Sequence, residues 1–428
     1  MKKALLNFFE RIEPNKEKQP LLHTAYDAFF TFAFTPNATT KGGVHIRDGM
    51  DLKRLMVHVV LALQLCFVFG TYNIGHQHFV ALGEYTGFLE GFHLKLAHGL
   101  IKLVPIYVVT MAVGLGIEFF YASKKGHAVE EGFLVSGALI PLIMPPDIPL
   151  WILSLSVVFA VVIGKEAFGG TGMNILNVAL LARVFIFFAY PTTISGDEVW
   201  VSGLESTAAG AAVEYSWWHN GFFNGIFEAF GWSTFNPAMT VVDGYSGATP
   251  LSLAYKGGWD AVAAQYTPAQ MWWGTIPGSI GESSKPLIIL GALFLAVTGV
   301  ASWRIMVGGV FGAVVMSLIL NAWGATEFME VPWYYQFYMG SFWFAIAFMA
   351  TDPVTASGTP TGKWIYGFMI GFVGMIIRVM NPAYPEGWML AILFMNVFAP
   401  LIDHYVIEAN IGRRKKRAAA VAAATEAA

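Results

Sequence analysis

The sequence carries little charge for its length. Asp, Glu, Lys and Arg make up 12% of the 428 residues, and hydrophobic residues make up 56%, whereas a soluble domain is roughly 25% charged. A soluble protein of this length would need more charge to cover its surface, and single soluble cores stop growing near roughly 250–300 residues. The composition therefore indicates an integral membrane protein.

Cysteine is nearly absent. Cys66 is the only one in the chain, which excludes an internal disulfide, an iron–sulfur cluster ligated by cysteines of this chain and c-type haem attachment. The N-terminal residues do not match a signal peptide. The apolar stretch 4–9 is too short for the hydrophobic region of a signal peptide, and no small-residue cleavage site follows it. We therefore expect the N-terminus to be retained.

Long apolar runs recur from residue 55 to the C-terminal region and predict about ten membrane spans. Several are shorter than the roughly 20 residues that cross a bilayer as one helix. The runs that end at Pro145-Pro146 and at Asp352-Pro353 are therefore interpreted as broken helices. The spans are predicted near residues 55–72, 99–121, 132–144, 149–163, 175–191, 287–301, 305–322, 337–349, 364–380 and 388–407.

The basic residues predict the orientation of these spans, because cytoplasmic loops of membrane proteins are rich in Lys and Arg. With ten spans in this order, the basic positions all fall on one side, and both termini are expected in the cytoplasm. The segment 192–284 is then expected outside. The positions are Lys53-Arg54, Lys124-Lys125, Lys165, Arg304, Lys363 and residues 413–417.

The spans predict an all-α, polytopic membrane protein built from two inverted five-helix repeats, because an odd number of spans per half inverts the second half. Matching breaks support the repeat, Pro145-Pro146-Asp147 with Asp352-Pro353, and residues 169–172 with residues 381–385. The predicted regions are a cytoplasmic segment 1–54, a first repeat 55–191, an outer loop 192–284, a second repeat 285–407 and a basic cytoplasmic tail 408–428.

The histidines do not predict a haem site. His58, His76, His78, His93 and His98 cluster near the first two spans, but most fall at span ends or in the connecting loop. We expect no pair of them to face each other on two buried helices. They are interpreted as interfacial or loop histidines.

A threonine with small neighbours lies in the outer loop, in the stretch Asp243-Gly244-Tyr245-Ser246-Gly247-Ala248-Thr249-Pro250. Small residues leave the hydroxyl accessible and let a bulky group approach the backbone. Taken alone, this could be an ordinary surface turn. It also resembles the site at which a flavin transferase attaches FMN to threonine through a phosphoester.

The rest of the chain is similar to one family, the B-type subunits of the Na+-translocating NADH:quinone oxidoreductase (Nqr). The similarity covers nearly the whole chain, with the motifs in the same order. The matching stretches are His45-Ile46-Arg47-Asp48, Asp51-Leu52-Lys53-Arg54, Lys165-Glu166-Ala167-Phe168-Gly169-Gly170-Thr171-Gly172, Ile276-Pro277-Gly278-Ser279-Ile280-Gly281-Glu282, Ala350-Thr351-Asp352-Pro353 and Asn381-Pro382-Ala383-Tyr384-Pro385-Glu386-Gly387.

The resemblance implies that Thr249 carries a covalent FMN, with Asp243, Gly244, Ser246, Gly247 and Ala248 forming the attachment motif. It also implies electron transfer from FMN through riboflavin to ubiquinone, coupled to Na+ movement, in a complex of six expected subunits. The expected partners are those subunits, ubiquinone, Na+, membrane lipid and the flavin transferase, but no nucleic acid.

A noncovalent riboflavin is the second cofactor that the resemblance implies, near Gly170, Thr171, Asn174 and Asn177. From the residues alone, a glycine-rich turn at a helix start offers N–H groups and a positive dipole end. The two asparagines, three positions apart, are predicted on one face of that helix. Helix capping is the alternative. Val178 stands where the family has proline, so the start of the helix is a departure from the pattern.

Acidic residues within or beside the spans are the third group, because ionisable residues at membrane depth are costly and usually functional. The family implicates positions matching Glu118 and Asp403 in sodium uptake, and one matching Gly114 in quinone binding. Glu118 is also a candidate for the quinone site, and Asp352 for sodium or a helix cap. Glu130 and Glu131, beside Lys124-Lys125, fit a solvated face equally well.

Two other functions remain open at this point. The corresponding subunit of the Rnf complex shares the flavin motif but hands electrons between ferredoxin and NAD, and the long segment before Lys53-Arg54 favours the quinone enzyme. A non-redox channel or carrier with inverted repeats would have the same fold. The segment between Trp200 and Asp243 is longer than expected for the family and could be an interfacial helix against a neighbouring subunit.

Overall fold

The computed structural model describes residues 52–125, 132–203, 215–236, 239–242, 245–381 and 387–426, with residues 12–14 and four isolated positions before them. This part of the chain is helical and contains no β-strand. Residues singled out above that lie outside the described residues are 45–48, 51, Glu130, Glu131, Asp243, Gly244 and 382–386. The same holds for residues 204–214 of the longer segment.

Eleven helices organise the described part of the fold, and several short turns connect them. They are α1 Leu52–Ala81, α2 Phe92–Lys125, α3 Phe133–Leu142, α4 Leu150–Gly164, α5 Val178–Ala189, α6 Pro250–Gln265, α7 Lys285–Val297, α8 Trp303–Trp323, α9 Phe342–Phe344 with its π-helical continuation Ala345–Met349, α10 Pro360–Met380 and α11 Trp388–Glu426.

Ten of these helices, all except α6, coincide with the ten predicted spans. Six helical stretches are long and apolar enough to cross a membrane, and α3, α5 and α7 are shorter apolar helices. The chain is therefore an all-α, polytopic membrane protein, as its composition predicts. The six stretches are Leu55–Ala81, Phe92–Lys125, Leu150–Phe168, Trp303–Trp323, Pro360–Met380 and Trp388–Val421.

The helix breaks fall where proline and glycine predict them. Helix α3 ends at Leu142, and no helix forms again until α4 begins after Pro149. In the second set, α9 ends at Met349 and α10 begins at Pro360. Both gaps contain an X–Pro sequence, which disfavours helical backbone at the preceding residue. The break in the third helix of each set is thus confirmed.

The two sets of helices pack in the same order. The second helix packs against the fourth and the fourth against the fifth, as α2–α4–α5 in the first set and α8–α10–α11 in the second. Helix α1 also packs against α7, and α5 against α11, so equivalent helices of the two sets meet. This order is what a repeat would produce. The region boundaries and the inversion of the second set stay predictions.

Glycine allows the closest helix contacts. A Cβ atom on Gly99 of α2 would lie 1.7 Å from the carbonyl oxygen of Thr71 on α1, and one on Gly371 of α10 would lie 2.0 Å from that of Gly309 on α8. Small residues let membrane helices approach this closely. These contacts fix how α1 lies along α2, and α8 along α10.

The connection between the two sets is folded onto one end of the bundle. Residues 215–236 form a π-helix Trp218–Phe223 and a short α-helix Asn224–Ala229. Their inner side, with Phe227 and Phe235, packs on Phe79 of α1 and Leu94 of α2. Their outer side exposes large aromatic side chains. These are Trp217, Trp218, Phe222, Phe230 and Trp232.

Helix α11 continues far beyond its predicted span. It runs through the basic residues 413–417 to Glu426, so the part of the predicted tail up to Glu426 is helical. Cys66, the only cysteine of the chain, lies within α1 and is buried, with 4% of its surface exposed.

Candidate functional site

Thr249 is the N-cap residue of α6. Its Oγ1 accepts a hydrogen bond from the backbone N–H of Ser252 at 3.2 Å, and Pro250 takes the first helical position. The unpaired N–H groups and the positive end of the helix dipole therefore lie beside the Thr249 hydroxyl. A phosphate on that hydroxyl would meet the electrostatics that favour anions at helix N-termini.

The residues before Thr249 hold it in place. Gly247 has a φ of +63°, a backbone conformation that glycine adopts without steric cost. Ser246 is exposed, whereas Ala248 is 2% exposed, so the small side chain of Ala248 fits inside the fold. The turn therefore needs both a glycine and a small residue, as the motif has them.

A buried tyrosine pair supports this turn from behind. The Tyr266 hydroxyl donates to the carbonyl oxygen of Ala248 at 2.8 Å, and Tyr245 lies close enough to raise the pKa of Tyr266, after burial as the main cause and together with Asp197. Burial also raises the pKa of Tyr245 to about 12. Both phenols therefore stay protonated and can act as hydrogen-bond donors.

A cavity of about 310 Å³ opens beside Thr249. A 150 Å³ apolar cavity holds one benzene, so this one has room for much of a flat three-ring system. Its wall carries two lysines: Lys256 is exposed and paired with Asp197 at the surface, whereas Lys285 is 1% exposed and donates to the carbonyl oxygens of Ser283 at 2.9 Å and Glu282 at 3.3 Å. Asp197 and Glu282 also line the cavity, so its charges balance, and the fit to a flavin rests on its size and on the helix N-terminus beside Thr249.

The structure corrects the prediction for the two asparagines. Helix α5 begins at Val178, so neither Asn174 nor Asn177 lies on a face of it. Asn177 is its N-cap, and its side chain accepts from Leu180 N at 3.2 Å. Asn174 lies in the preceding loop. The glycine-rich turn is not the helix start but a separate loop, in which Gly170 has a φ of +106°.

Val178 is the first residue of α5, a position that suits the proline expected from the family resemblance as well as it suits valine. The N–H of this position has no partner within the helix, and proline, which has no N–H, is common there. The exchange therefore leaves the hydrogen bonds of the helix unchanged.

Thr171, Asn174 and Asn177 line a second cavity, between the two helix sets. It has a volume of about 70 Å³, and Lys165, Thr351 and Asp352 also line it. Its donors and acceptors suit the polar edge of an isoalloxazine ring. Its volume does not, because it is smaller than a cavity that holds one benzene. A riboflavin does not fit here unless the walls move apart.

Asp352 lies at the edge of this cavity, in the break after α9. Its carboxylate accepts from Val354 N at 3.1 Å, from the Thr355 hydroxyl at 3.0 Å and from the Asn177 side-chain nitrogen at 3.4 Å. Asn177 belongs to the first helix set and Asp352 to the second. The start of α5 in the first set and the break after α9 in the second set therefore meet at this contact.

Glu118 is buried in α2 and forms an ion pair with Lys165, which follows α4. The two side chains are 3% and 4% exposed. Gly114 lies one turn earlier on α2, and a Cβ there would lie 1.9 Å from Cζ of Phe133 on α3. The candidate sodium residue Glu118 and the candidate quinone residue Gly114 are thus close together, at the same end of α2.

Asp403 lies away from the second cavity, on α11. Its two carboxylate oxygens accept from the Ser357 hydroxyl at 2.6 Å, the Gly358 N–H at 2.7 Å, and the N–H and hydroxyl of Thr359 at 3.1 and 2.6 Å. Thr359 is the N-cap of α10. Asp403 therefore fastens the start of α10 to α11, and the structure does not bring it together with Glu118 or Asp352.

The prediction that no two histidines face each other on buried helices is wrong. His78 on α1 and His98 on α2 stack with ring centroids 3.9 Å apart and planes at 8°, and each is 2% exposed. His98 Nδ1 is 3.1 Å from Nε2 of His219 in the connection. We call these three residues the histidine clasp, because they hold the connection against α1 and α2.

The clasp is neutral and part of a longer hydrogen-bonded chain. His219 Nδ1 is 2.9 Å from the Ser216 hydroxyl, and His98 Nε2 is 3.0 Å from that of Ser202. Burial, with smaller contributions from Lys102 and His78, lowers the pKa of His219 to about 3. His219 therefore stays uncharged at neutral pH.

Sequence reasoning missed Tyr266, the clasp and the partner of Glu118. Lys165 belongs to a stretch that was singled out, but only as a basic residue that marks the cytoplasmic side. Its side chain is buried against α2, and no local pattern connects it with Glu118, 47 positions earlier. Only the packing of α4 on α2 brings the two together.

Comparison with known proteins identifies close relatives. A sequence model described as the NQR2, RnfD, RnfE family matches residues 39–412. The B-type subunit of the Na(+)-translocating NADH-quinone reductase of Chromohalobacter salexigens is 42% identical, over 99% of this chain and 98% of its own length. Proteins of the same name from Ectopseudomonas mendocina and Pseudomonas aeruginosa are 42% and 40% identical, covering 96% and 97% of this chain and 98% and 99% of their own lengths.

Proposed function

Because the chain belongs to the NQR2, RnfD, RnfE family, we propose that it is a membrane subunit of a sodium-translocating NADH:quinone oxidoreductase and that it carries FMN as a phosphoester of Thr249. The shared name of relatives that match it over nearly their full length supports the quinone enzyme over the Rnf complex. In this role the chain passes electrons towards ubiquinone while Na+ is moved.

One observation carries the flavin assignment. Thr249 caps the N-terminus of α6 and opens into a cavity of about 310 Å³. A phosphoester at this hydroxyl would have helix N–H groups beside it and a ring-sized space next to it. An ordinary surface turn would need neither.

The residues around the cavity bind and orient, and the flavin would supply the electron chemistry. Lys285 and Glu282 bring one buried positive and one buried negative group to the wall, which can orient the polar edge of a flavin. Tyr266 fixes the backbone before Thr249. The pair Lys256–Asp197 lies at the rim, where it can limit the movement of the bound group.

The connection that carries Thr249 is proposed to lie outside the cytoplasm, and the positions of the basic residues support this orientation. There the other subunits of the complex can deliver electrons to the FMN, and a flavin transferase can reach the threonine. Ubiquinone is proposed to bind near Gly114, at the other end of α2. No step is assigned to riboflavin, because its predicted site is too small in this conformation.

Sodium is proposed to use the buried carboxylates rather than Asp403. Hard oxygen ligands suit small cations, and Glu118 and Asp352 lie at or beside the second cavity. Asp403 already accepts four hydrogen bonds. Its effect on sodium uptake would then be indirect, through the start of α10.

In-gel fluorescence of the denatured protein tests the proposal. The wild-type band should fluoresce because a phosphoester survives denaturation, and Thr249→Val should be dark. The matched control is Thr267→Val, which removes another N-cap threonine of the connection and should leave the fluorescence unchanged. A dark wild-type band from an active complex, or a fluorescent Thr249→Val band, would exclude this attachment site.

A further inference from the structure

Two acidic side chains and one lysine lie at the junction of the two helix sets. Glu118 and Lys165 form the buried ion pair described above. Lys165 also lines the small cavity that Asp352 borders from the other set. Among the described residues that line this cavity, Lys165 and Asp352 are the ionisable ones. The lysine is therefore bound to one carboxylate and lines the same cavity as the other.

With both carboxylates ionised, the charges of these three groups sum to minus one. Lys165 neutralises Glu118, whereas the hydrogen-bond donors to Asp352 among the described residues are all neutral, from Val354, Thr355 and Asn177. An uncompensated carboxylate at membrane depth is costly. The group of three thus has room for one monovalent cation.

We propose that Lys165 exchanges between Glu118 and Asp352, and that Na+ occupies the carboxylate that the lysine leaves. Lysine carries a compact ammonium group on a flexible four-carbon stem, so it can serve two partners. In the conformation observed here Lys165 is bound to Glu118, which leaves Asp352 for Na+, with the hydroxyl oxygen of Thr355 nearby. This inference rests on the proposed sodium translocation and adds the residue that controls it.

The exchange lets Na+ use either carboxylate in turn. When Na+ leaves Asp352, the ammonium group of Lys165 can replace it there, and the Glu118 carboxylate can then take the next Na+. With one Na+ bound, two cations face two carboxylates, whichever carboxylate holds the lysine. A fixed lysine would instead confine Na+ to Asp352, and Glu118 would never take part.

Paired substitutions test the exchange in the assembled complex, by equilibrium binding of radioactive Na+ without NADH. Asp352→Asn should lose one bound Na+ relative to wild type, because Lys165 then stays with Glu118. Adding Lys165→Gln should restore one Na+, now at Glu118, although Asp352 is still replaced. Recovery of binding shows that Glu118 takes Na+ once the ammonium group is absent, and the reciprocal pair then shows whether the lysine moves.

The reciprocal pair gives the same test from the other side. Glu118→Gln should lose one Na+ even though Asp352 is intact, because Lys165 moves to Asp352, and Glu118→Gln with Lys165→Gln should regain it. Lys125→Gln is the control, since it breaks the more exposed ion pair with Glu166 and should bind Na+ as wild type does. If Glu118→Gln does not assemble, Glu118→Ala takes its place in this pair.

The outcomes separate this inference from the proposed function. If wild type binds Na+ but neither double variant regains what its single variant loses, the lysine does not exchange. The same conclusion follows if Glu118→Gln binds as much Na+ as wild type. If Asp352→Asn and Glu118→Gln both bind as much Na+ as wild type does, these carboxylates hold no sodium. The proposed sodium site at this junction is then excluded, whether or not the lysine moves.

Discussion

The Tyr266 hydroxyl donates a 2.8 Å hydrogen bond to the carbonyl oxygen of Ala248, the residue directly before Thr249. Tyr266 is also the C-cap of α6, the helix that Thr249 begins. The two ends of one helix can meet because α6 is kinked at Gly257 and Gly258, where Gly258 has a φ of +62°. The connection thus folds back on itself and holds the proposed flavin threonine from behind.

Replacing Tyr266 by Phe should lower the amount of covalent flavin per chain. The ring would still fill its space, but the Ala248 carbonyl would lose its donor, which costs about 1 kcal/mol and loosens the turn that presents Thr249. Flavin fluorescence per unit of protein, measured on denatured samples, gives the occupancy. Tyr405→Phe, at a 63% exposed position of α11, should change nothing; equal flavin content in both variants would show that Tyr266 does not position the threonine.

Gly114→Ala should destabilise the packing of α2 against α3, whereas Gly116→Ala should not. A Cβ on Gly114 would lie 1.9 Å from the Phe133 ring, whereas one on Gly116 would meet nothing within 4 Å. Overpacking typically costs about 1–3 kcal/mol, while alanine in place of an uncrowded helical glycine gains up to about 1 kcal/mol. Thermal unfolding of the purified complex should therefore shift in opposite directions.

The same two variants test the proposed quinone region. If quinone binds near Gly114, moving Phe133 should raise the KM for ubiquinone at least severalfold in Gly114→Ala and leave it unchanged in Gly116→Ala. If the two variants have equal KM values for quinone while Gly114→Ala is less stable, Gly114 contributes only to helix packing and not to quinone binding.

Acid should release the connection from the histidine clasp. The pKa of His219 is lowered from 6.5 to about 3 in the folded state, so the released form binds a proton between these values and the docked form does not. Docking should weaken as the pH falls from about 6.5 towards 3, by up to about 1.4 kcal/mol per pH unit, and should level off below that range.

Hydrogen exchange of residues 215–236, corrected for the intrinsic pH dependence of exchange, measures this release. His219→Gln should remove most of the pH dependence, and His404→Gln, at an exposed position of α11, should retain it. A protection factor that stays constant from pH 7 to pH 4.5 in the wild type would contradict the clasp as a neutral, buried contact.

Asp403→Ala should lower the stability of the folded protein and should not change Na+ binding directly. The substitution removes the acceptor of four hydrogen bonds at the start of α10, and because the carboxylate is partly exposed we expect a loss of about 1–3 kcal/mol. Glu408→Ala, at an exposed position of the same helix, is the control. A higher KM for Na+ with unchanged unfolding temperature would instead make Asp403 a direct sodium ligand.

Local rules predicted most of the fold. Apolar runs gave the ten helices of the two sets, and Pro145, Pro146 and Pro353 gave the breaks, because proline acts on the residues next to it. The error at Asn177 is also local: the helix starts at Val178 instead of Ile175, and that small shift turns two residues of a helix face into a cap and a loop residue.

Contacts between distant residues could not be predicted in this way. His78 meets His98 only because the close contact of Gly99 with Thr71 fixes how α1 lies along α2. Lys165 reaches Glu118 because α4 packs against α2. Hydrophobic periodicity predicts which face of a helix is buried. It does not predict how two packed helices are shifted along their axes, and these contacts depend on that shift.

The burial of Cys66 has a practical consequence for labelling. Because the only thiol of this chain is 4% exposed within α1, water-soluble maleimides should leave it untouched in the folded state. The natural chain can then serve as its own background for single introduced cysteines, for example at Trp217 or Phe222 on the exposed aromatic side of the connection. Such positions would report directly from which side of the bilayer this segment can be reached.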